Sequence, residues 1–154
     1  LLNIFILIPI LGLVISLFLP SQKEKLISFT VFSTIGTHLL VFLVFTTYWL
    51  YTGAVTLSIK DLILFQTDHY EFFIDLIFDK TSAVFMAVGS FLALLVTRYS
   101  KTYLHREVGY KRFFNTILFF YLGYTIIILS GNLETLFIGW EFLGISSFLL
   151  IAFY

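Results

Sequence analysis

Three ionisable residues lie in long apolar stretches of the chain: Glu134, Glu141 and His38. A carboxylate inside a membrane-spanning segment costs about 2.5–3.5 kcal/mol on insertion scales, so its presence there predicts a function. A glutamate that is removed from water and meets a movable cation can bind and release a proton. The chemistry that these residues suggest is therefore proton transfer within a membrane.

Glu141 is the ninth residue of the apolar segment that begins at Leu133. At about 1.5 Å per residue it lies roughly 12 Å from the start of a helix, which predicts a position near the bilayer centre. Glu134 lies seven residues earlier on nearly the same helix face and is expected to assist. Gly139 and Gly144 are expected to let a helix or water approach Glu141. The alternative is a structural hydrogen bond or ion pair.

His38 is central in the second apolar segment, close to Thr34 and Thr37. A neutral imidazole there would be able to join a proton chain. A hydrogen bond to Thr34 or to a backbone carbonyl, made for packing, explains the residue at least as well. His69 and His105 fall in polar segments and are expected to be solvated, without a function.

The composition excludes a water-soluble monomer. Of the 154 residues 60% are hydrophobic and 12% are charged, whereas a soluble domain has about 45–50% apolar and about 25% charged residues. Nine basic residues balance nine acidic ones, so no positive surplus is available for nucleic acid. The chain has no cysteine and three scattered histidines, which argues against a disulfide framework, an iron–sulfur cluster or a metal site. Any redox cofactor is expected on another chain.

Apolar segments of membrane-spanning length dominate the sequence. A hydrocarbon core of about 30 Å needs about 20 apolar residues as a helix. The pattern predicts an all-α integral membrane protein with about five transmembrane helices. They are expected at residues 1–19, 26–51, 81–97, 113–130 and 133–154.

The segment between the second and third helices has a different pattern. Apolar and polar residues alternate over Val55–Lys60 and again over Tyr70–Asp75, which predicts a surface β-hairpin. Acidic residues recur along it, and we expect them to belong to a folded cap rather than a metal site. These residues are Asp61, Asp68, Glu71, Asp75 and Asp79.

The basic residues are divided unequally between the two ends of the predicted bundle. Seven lie in or beside the first and third loops, against Lys60 and Lys80 at the other end. The positive-inside rule then places the N-terminus on the outer, positive side of the membrane. Topology and contact with anionic lipid head groups explain the basic loops. The seven are Lys23, Lys25, Arg98, Lys101, Arg106, Lys111 and Arg112.

Three stretches resemble a known family. Residues 139–141 read Gly-Trp-Glu, followed by a glycine three residues on, a serine and Leu-Leu-Ile. Residues 78–82 read Phe-Asp-Lys-Thr-Ser, and residues 107–114 read Glu-x-Gly-Tyr-x-Arg-Phe-Phe. The chain thus resembles the antiporter-like subunit 5 (bacterial subunit L) of respiratory complex I, the NADH:quinone oxidoreductase. It is interpreted as an N-terminal fragment, residues 1–154, of a multi-helix antiporter-like domain.

The resemblance implies that Glu141 is the family's helix-five glutamate, which is thought to pair with a later lysine in proton translocation. It also implies that NADH, flavin, iron–sulfur clusters and quinone are held by partner subunits and none by this chain. The expected location is a bacterial plasma membrane or a mitochondrial inner membrane, among other membrane subunits and lipids. Two alternatives remain: a subunit of a cation/proton antiporter or proton-driven inorganic-carbon transporter, and a purely structural membrane subunit.

Overall fold

The computed structural model describes residues 2–66 and 71–153, which form five α-helices and one two-stranded antiparallel sheet. Both the helical class and the hairpin were expected from the sequence. In chain order the elements are α1 (Asn3–Phe18), α2 (Glu24–Tyr51), β1 (Leu57–Gln66), β2 (Glu71–Phe78), α3 (Lys80–Tyr103), α4 (Tyr110–Leu129) and α5 (Leu133–Ile151).

Four of the described helices, α2 to α5, are long and apolar enough to cross a membrane. Helix α1 has 16 residues, about 24 Å at 1.5 Å per residue, and is shorter than the expected segment 1–19. Pro20 lies just after the end of α1. The helical conformation is disfavoured for the residue that precedes a proline, so the helix ends before it. Pro9 lies inside α1 without ending it, as is tolerated in apolar helices.

Helix α4 occupies the centre of the bundle and contacts each of the other four helices. Its buried side chains include Phe114, Leu118 and Tyr121. By contrast, α5 packs mainly on α4 and leaves most of its apolar surface exposed. Exposed Phe, Leu, Val and Ile cover the outside of the bundle, which is the surface expected of helices that face lipid.

The hairpin lies across one end of the bundle. Its strands extend beyond the alternating segments Val55–Lys60 and Tyr70–Asp75 from which it was predicted. Its pairing runs from Leu57 opposite Phe78 to Gln66 opposite Glu71, with two register shifts. Phe78 is fully buried between the rings of Phe45 and Trp49, at centroid distances of 5.0 and 5.1 Å. This aromatic contact fixes the hairpin to the end of α2.

Two loops meet at the opposite end, which we call the basic end: residues 19–23 and residues 104–109. Glu24, in the first turn of α2, accepts hydrogen bonds from His105 Nδ1 at 2.8 Å and from the Arg106 N–H at 3.2 Å. The two loops, with the adjoining helix ends that carry most of the basic residues, therefore lie side by side, as expected from the charge count. The hairpin forms the other end, which we call the hairpin end.

Candidate functional site

Glu141 lies at the middle of α5, as the ninth of its 19 residues. Its side chain is exposed and lines an open groove of about 390 Å³. Among residues 2–66 and 71–153 the carboxylate has no hydrogen-bond or ion-pair partner. The groove is otherwise lined by Trp140, Gly144, Ile145 and Phe148.

The two glycines near Glu141 face different surroundings. A Cβ atom at Gly144 would meet nothing within 4 Å, so the groove beside Glu141 is open at that point. A Cβ at Gly139 would lie 2.9 Å from the backbone nitrogen of Ile127. Gly139 therefore brings α5 close to α4 rather than opening the surroundings of the carboxylate, contrary to the expectation that both glycines serve Glu141.

Helix α4 offers a glycine of its own at this contact. A Cβ on Gly123 would lie 2.9 Å from the backbone nitrogen of Leu143 and 3.1 Å from the carbonyl oxygen of Gly139. The backbones of α4 and α5 are therefore in contact at Gly139 and at Leu143, two residues before and two residues after Glu141. Because small residues allow this approach, the turn that carries Glu141 is held at a fixed position on α4.

Glu134 is half-buried in the first turn of α5. It lies about 10 Å along the helix axis from Glu141, on the basis of seven residues at about 1.5 Å each. The positive end of the helix dipole favours a negative side chain at this position. Glu134 thus lies in the first turn of α5, and Glu141 lies at the middle of the same helix.

The hairpin is joined directly to the start of α5. The Asn132 side chain accepts a hydrogen bond from the Thr135 N–H at 2.9 Å and donates one to the Phe73 carbonyl at 2.8 Å. The Thr135 hydroxyl accepts from the Asp75 N–H at 3.0 Å, and the Gly131 N–H donates to the Asp75 carbonyl at 2.8 Å. Strand β2 therefore positions the first turn of α5, including Glu134.

His38 is fully buried between α1 and α4. Its Nε2 lies 3.1 Å from the carbonyl oxygen of Phe5, and its Nδ1 lies 2.6 Å from the hydroxyl of Tyr121. The neighbouring Thr34 hydroxyl instead donates to the carbonyl of Thr30. From the sequence, either Thr34 or a backbone carbonyl was expected to be the structural hydrogen-bond partner of His38. The structure shows a backbone carbonyl, that of Phe5.

Two basic residues at the basic end donate to carbonyls near helix C-termini. Lys111 Nζ donates to the Leu17 carbonyl, in the last turn of α1, at 2.8 Å, and Arg112 donates to the Phe153 carbonyl, two residues beyond the end of α5, at 2.8 Å. The last carbonyls of a helix have no intrahelical donor and carry a partial negative charge, so the contact of Lys111 is favourable. His105 is 61% exposed but pairs with Glu24, so it is not simply solvated.

Sequence reasoning did not single out Tyr121 and Ser90, which continue the hydrogen bonds of His38. The Ser90 hydroxyl lies 2.6 Å from that of Tyr121, and both side chains are buried. Ser90 and Tyr121 are 31 positions apart in the sequence, and His38 and Tyr121 are 83 positions apart. No sequence pattern predicts contacts over such separations. Asp68 and His69 lie outside the described residues, and the described part of the chain contains no cluster of three or more potential metal ligands.

The chain is similar in sequence to a known protein family. Residues 64–114 match the family model described as NADH-ubiquinone oxidoreductase (complex I), chain 5 N-terminus. NADH-quinone oxidoreductase subunit L of Neisseria meningitidis serogroup A is 40% identical over 85 residues, covering 54% of this chain and 13% of the relative. NADH-ubiquinone oxidoreductase chain 5 of Phoca vitulina is 31% identical over 142 residues, covering 86% of this chain and 22% of the relative. The chain 5 of Locusta migratoria is 37% identical over 78 residues, covering 51% of this chain and 14% of the relative.

The long apolar helices and these relatives define an integral membrane protein of the antiporter-like class. Within that class the chain belongs to the family of chain 5, or subunit L, of NADH:quinone oxidoreductases. It spans between 13% and 22% of the length of the relatives described here.

Proposed function

We propose that the chain is part of a proton-translocating membrane subunit of a complex I-like NADH:quinone oxidoreductase. Family membership supports this proposal, because the relatives are named as subunits of that oxidoreductase. NADH, flavin, iron–sulfur clusters and quinone would then be bound by other subunits. This chain would contribute to proton movement and not to electron transfer.

The observation that carries the site assignment is the position of Glu141. Its carboxylate is central in a helix of membrane-spanning length and borders a groove that the described residues leave open. A carboxylate near the middle of a bilayer needs a polar or cationic partner. We propose that another part of the full-length protein supplies a cation in this groove, and that Glu141 binds and releases a proton as this cation approaches and withdraws.

Glu134 is assigned an assisting role at the hairpin end of the same helix. A group about two turns from Glu141 and close to water would deliver protons to, or accept them from, the central carboxylate. His38 was the third candidate proton carrier from the sequence. Its hydrogen bonds to the Phe5 carbonyl and to Tyr121 favour a structural role instead.

Purification of the full-length protein from its native membrane would test the functional class. We expect an affinity tag to isolate flavin- and iron–sulfur-containing chains together with NADH:quinone oxidoreductase activity. A preparation that contains only cation-transport subunits and lacks flavin would overturn the assignment to an oxidoreductase. A tag inserted in the exposed turn at Gly53 of the same protein, compared with one at a terminus, controls for tag placement.

A further inference from the structure

Helix α1 contains a backbone carbonyl whose usual helical partner is missing. In an α-helix the N–H of residue i donates to the carbonyl of residue i−4, and proline has no N–H. Pro9, which is buried inside α1, therefore cannot donate to the carbonyl of Phe5. In an apolar environment such a carbonyl needs a donor from elsewhere.

His38 of α2 supplies that donor. A carbonyl oxygen only accepts hydrogen bonds, so the contact of 3.1 Å between Nε2 and Phe5 O requires a proton on Nε2. The ring of Phe5 also packs edge-on against the imidazole, with centroids 5.5 Å apart. The same residue of α1 thus contacts His38 through its main chain and its side chain.

The other ring nitrogen is oriented by α4 and α3. With Nε2 protonated, Nδ1 of a neutral imidazole accepts, so the Tyr121 hydroxyl donates to it across 2.6 Å. The Tyr121 oxygen can then accept from the Ser90 hydroxyl, which is 2.6 Å away. Each group in this chain of hydrogen bonds has a partner, and each side chain is at most 2% exposed.

We propose that His38 replaces the main-chain donor that Pro9 removes from α1, and that Tyr121 and Ser90 fix the ring in the tautomer this task requires. The four residues Phe5, His38, Tyr121 and Ser90, called here the polar clamp, join α1, α2, α4 and α3. His38 is then a positioning residue rather than a proton carrier. This inference does not depend on the function proposed for Glu141.

The polar clamp lies one helix away from the Glu141 region. Tyr121 and Gly123 are two residues apart, so they point to nearly opposite faces of α4. One face is held by the polar clamp, and the other receives the backbone of α5 at Gly139 and Leu143. By fixing α4, the clamp also fixes the surface on which the Glu141 turn rests.

A double-mutant cycle between residues 9 and 38 in the full-length protein, assembled in its native membrane, tests the inference. His38→Leu removes the donor to Phe5, whereas Pro9→Ala restores the helical N–H. We expect His38→Leu alone to reduce the amount of assembled protein several-fold. In the Pro9→Ala background, we compare the double variant with Pro9→Ala alone. The loss of assembled protein caused by His38→Leu, expressed as a logarithm, should there be less than half of the loss in the parent background. An equal loss with and without Pro9→Ala would overturn the proposal.

Trp49→Phe is the matched control, because it removes another side-chain donor to a backbone carbonyl, that of Val55, and does not involve Phe5 or His38. Pro9→Ala should not rescue it. His38→Gln, whose amide can donate to Phe5, should assemble better than His38→Leu, and this comparison decides the question if Pro9→Ala itself fails to assemble. If every His38 variant loses proton translocation per assembled molecule, including the variant rescued by Pro9→Ala, His38 carries protons and the positioning role is wrong.

Discussion

Lys111 caps the C-terminus of α1, because its Nζ donates a hydrogen bond to the Leu17 carbonyl at 2.8 Å. The charge count explained this lysine by topology and lipid contact, and the hydrogen bond adds a second role. We predict that Lys111→Ala lowers the free energy of unfolding by about 1 kcal/mol, since a cation at a helix C-terminus contributes about 0.3–1 kcal/mol and a hydrogen bond a similar amount.

Lys101→Ala removes the same charge from the same end of the bundle and serves as the control. The Lys101 side chain is exposed and lies in the last turn of α3. Thermal unfolding of both variants, in detergent of one composition, separates the hydrogen bond to Leu17 from the effect of a cation near a helix C-terminus, which both lysines share. Equal losses of stability would show that the contact with Leu17 contributes nothing.

Asp79 gives a pH dependence whose direction follows from its hydrogen bonds. The Ser82 N–H donates to its carboxylate at 2.7 Å and lowers the pKa of Asp79 below its ordinary value. Because the pKa is lower in the folded state, this cap stabilises α3 fully above the ordinary aspartate pKa of about 4. The stabilisation is lost as the pH falls through the lowered folded-state pKa.

We therefore expect Asp79→Asn, which keeps an oxygen acceptor but has no charge, to lower stability at pH 7, with a difference from the parent protein that shrinks as the pH falls below the ordinary aspartate pKa. The measurement is the unfolding midpoint against pH for the two proteins. A difference that is independent of pH would mean that the charge of Asp79 does not contribute to the cap.

The residue scale also shows what sequence reasoning can and cannot find. The missing donor to Phe5 can be predicted from Pro9, because it follows from spacing within one helix. Its replacement by His38 cannot, because that contact joins residues 33 positions apart. The central position of Glu141 in α5 was predictable from its distance to the start of the apolar segment.

At the scale of elements, the hairpin was predicted from alternation alone, whereas its attachment to α5 was not. Period-two patterns identify strands, but the docking depends on backbone groups of Phe73 and Asp75 that carry no sequence signal. The helix bounds lie within three residues of the predicted ones except at the end of α3, which continues to Tyr103 beyond the expected residue 97, because a helix can extend past the charged residues that end an apolar segment. The shorter α1 follows from the chain leaving the helix before Pro20.

Gly131 tests that attachment. A Cβ at this position would collide with the side chain of Asp75 and lie 2.9 Å from a side-chain carbon of Ile77. We predict that Gly131→Ala separates β2 from the start of α5 and lowers stability by about 1–3 kcal/mol, as is typical of overpacking.

Gly36→Ala is the matched substitution for Gly131→Ala. A Cβ at Gly36, within α2, would meet only Leu94 at 3.9 Å, an ordinary contact. It should be neutral or slightly stabilising, because alanine favours a helix more than glycine. Limited proteolysis of the hairpin compares the two variants, and equal resistance would show that the hairpin does not need the close contact at Gly131.

For the whole molecule, the contacts place the loops 19–23 and 104–109 at one end and the hairpin at the other. The positive-inside rule then predicts that the basic end faces the cytoplasm or matrix. The chain has no cysteine, so single cysteines at exposed positions report the side directly. Thr56 in the hairpin segment and Val108 in the basic end are both exposed.

We expect Thr56→Cys to react with an impermeant thiol reagent added to intact cells or mitoplasts, and Val108→Cys to react only after the membrane is opened. The full-length protein must first be freed of any other accessible cysteine. Labelling of position 108 from outside, with position 56 protected, would reverse the orientation.

The central claim is that Glu141 carries protons, and proton translocation by reconstituted Glu141→Gln measures it most directly. Glutamine keeps the shape of the side chain but cannot bind and release a proton at neutral pH. We predict normal assembly with proton translocation reduced about tenfold or more, partial activity in Glu141→Asp, and a much smaller loss in the matched variant Glu134→Gln. Glu141→Gln that assembles and translocates protons at the parent rate would contradict the account.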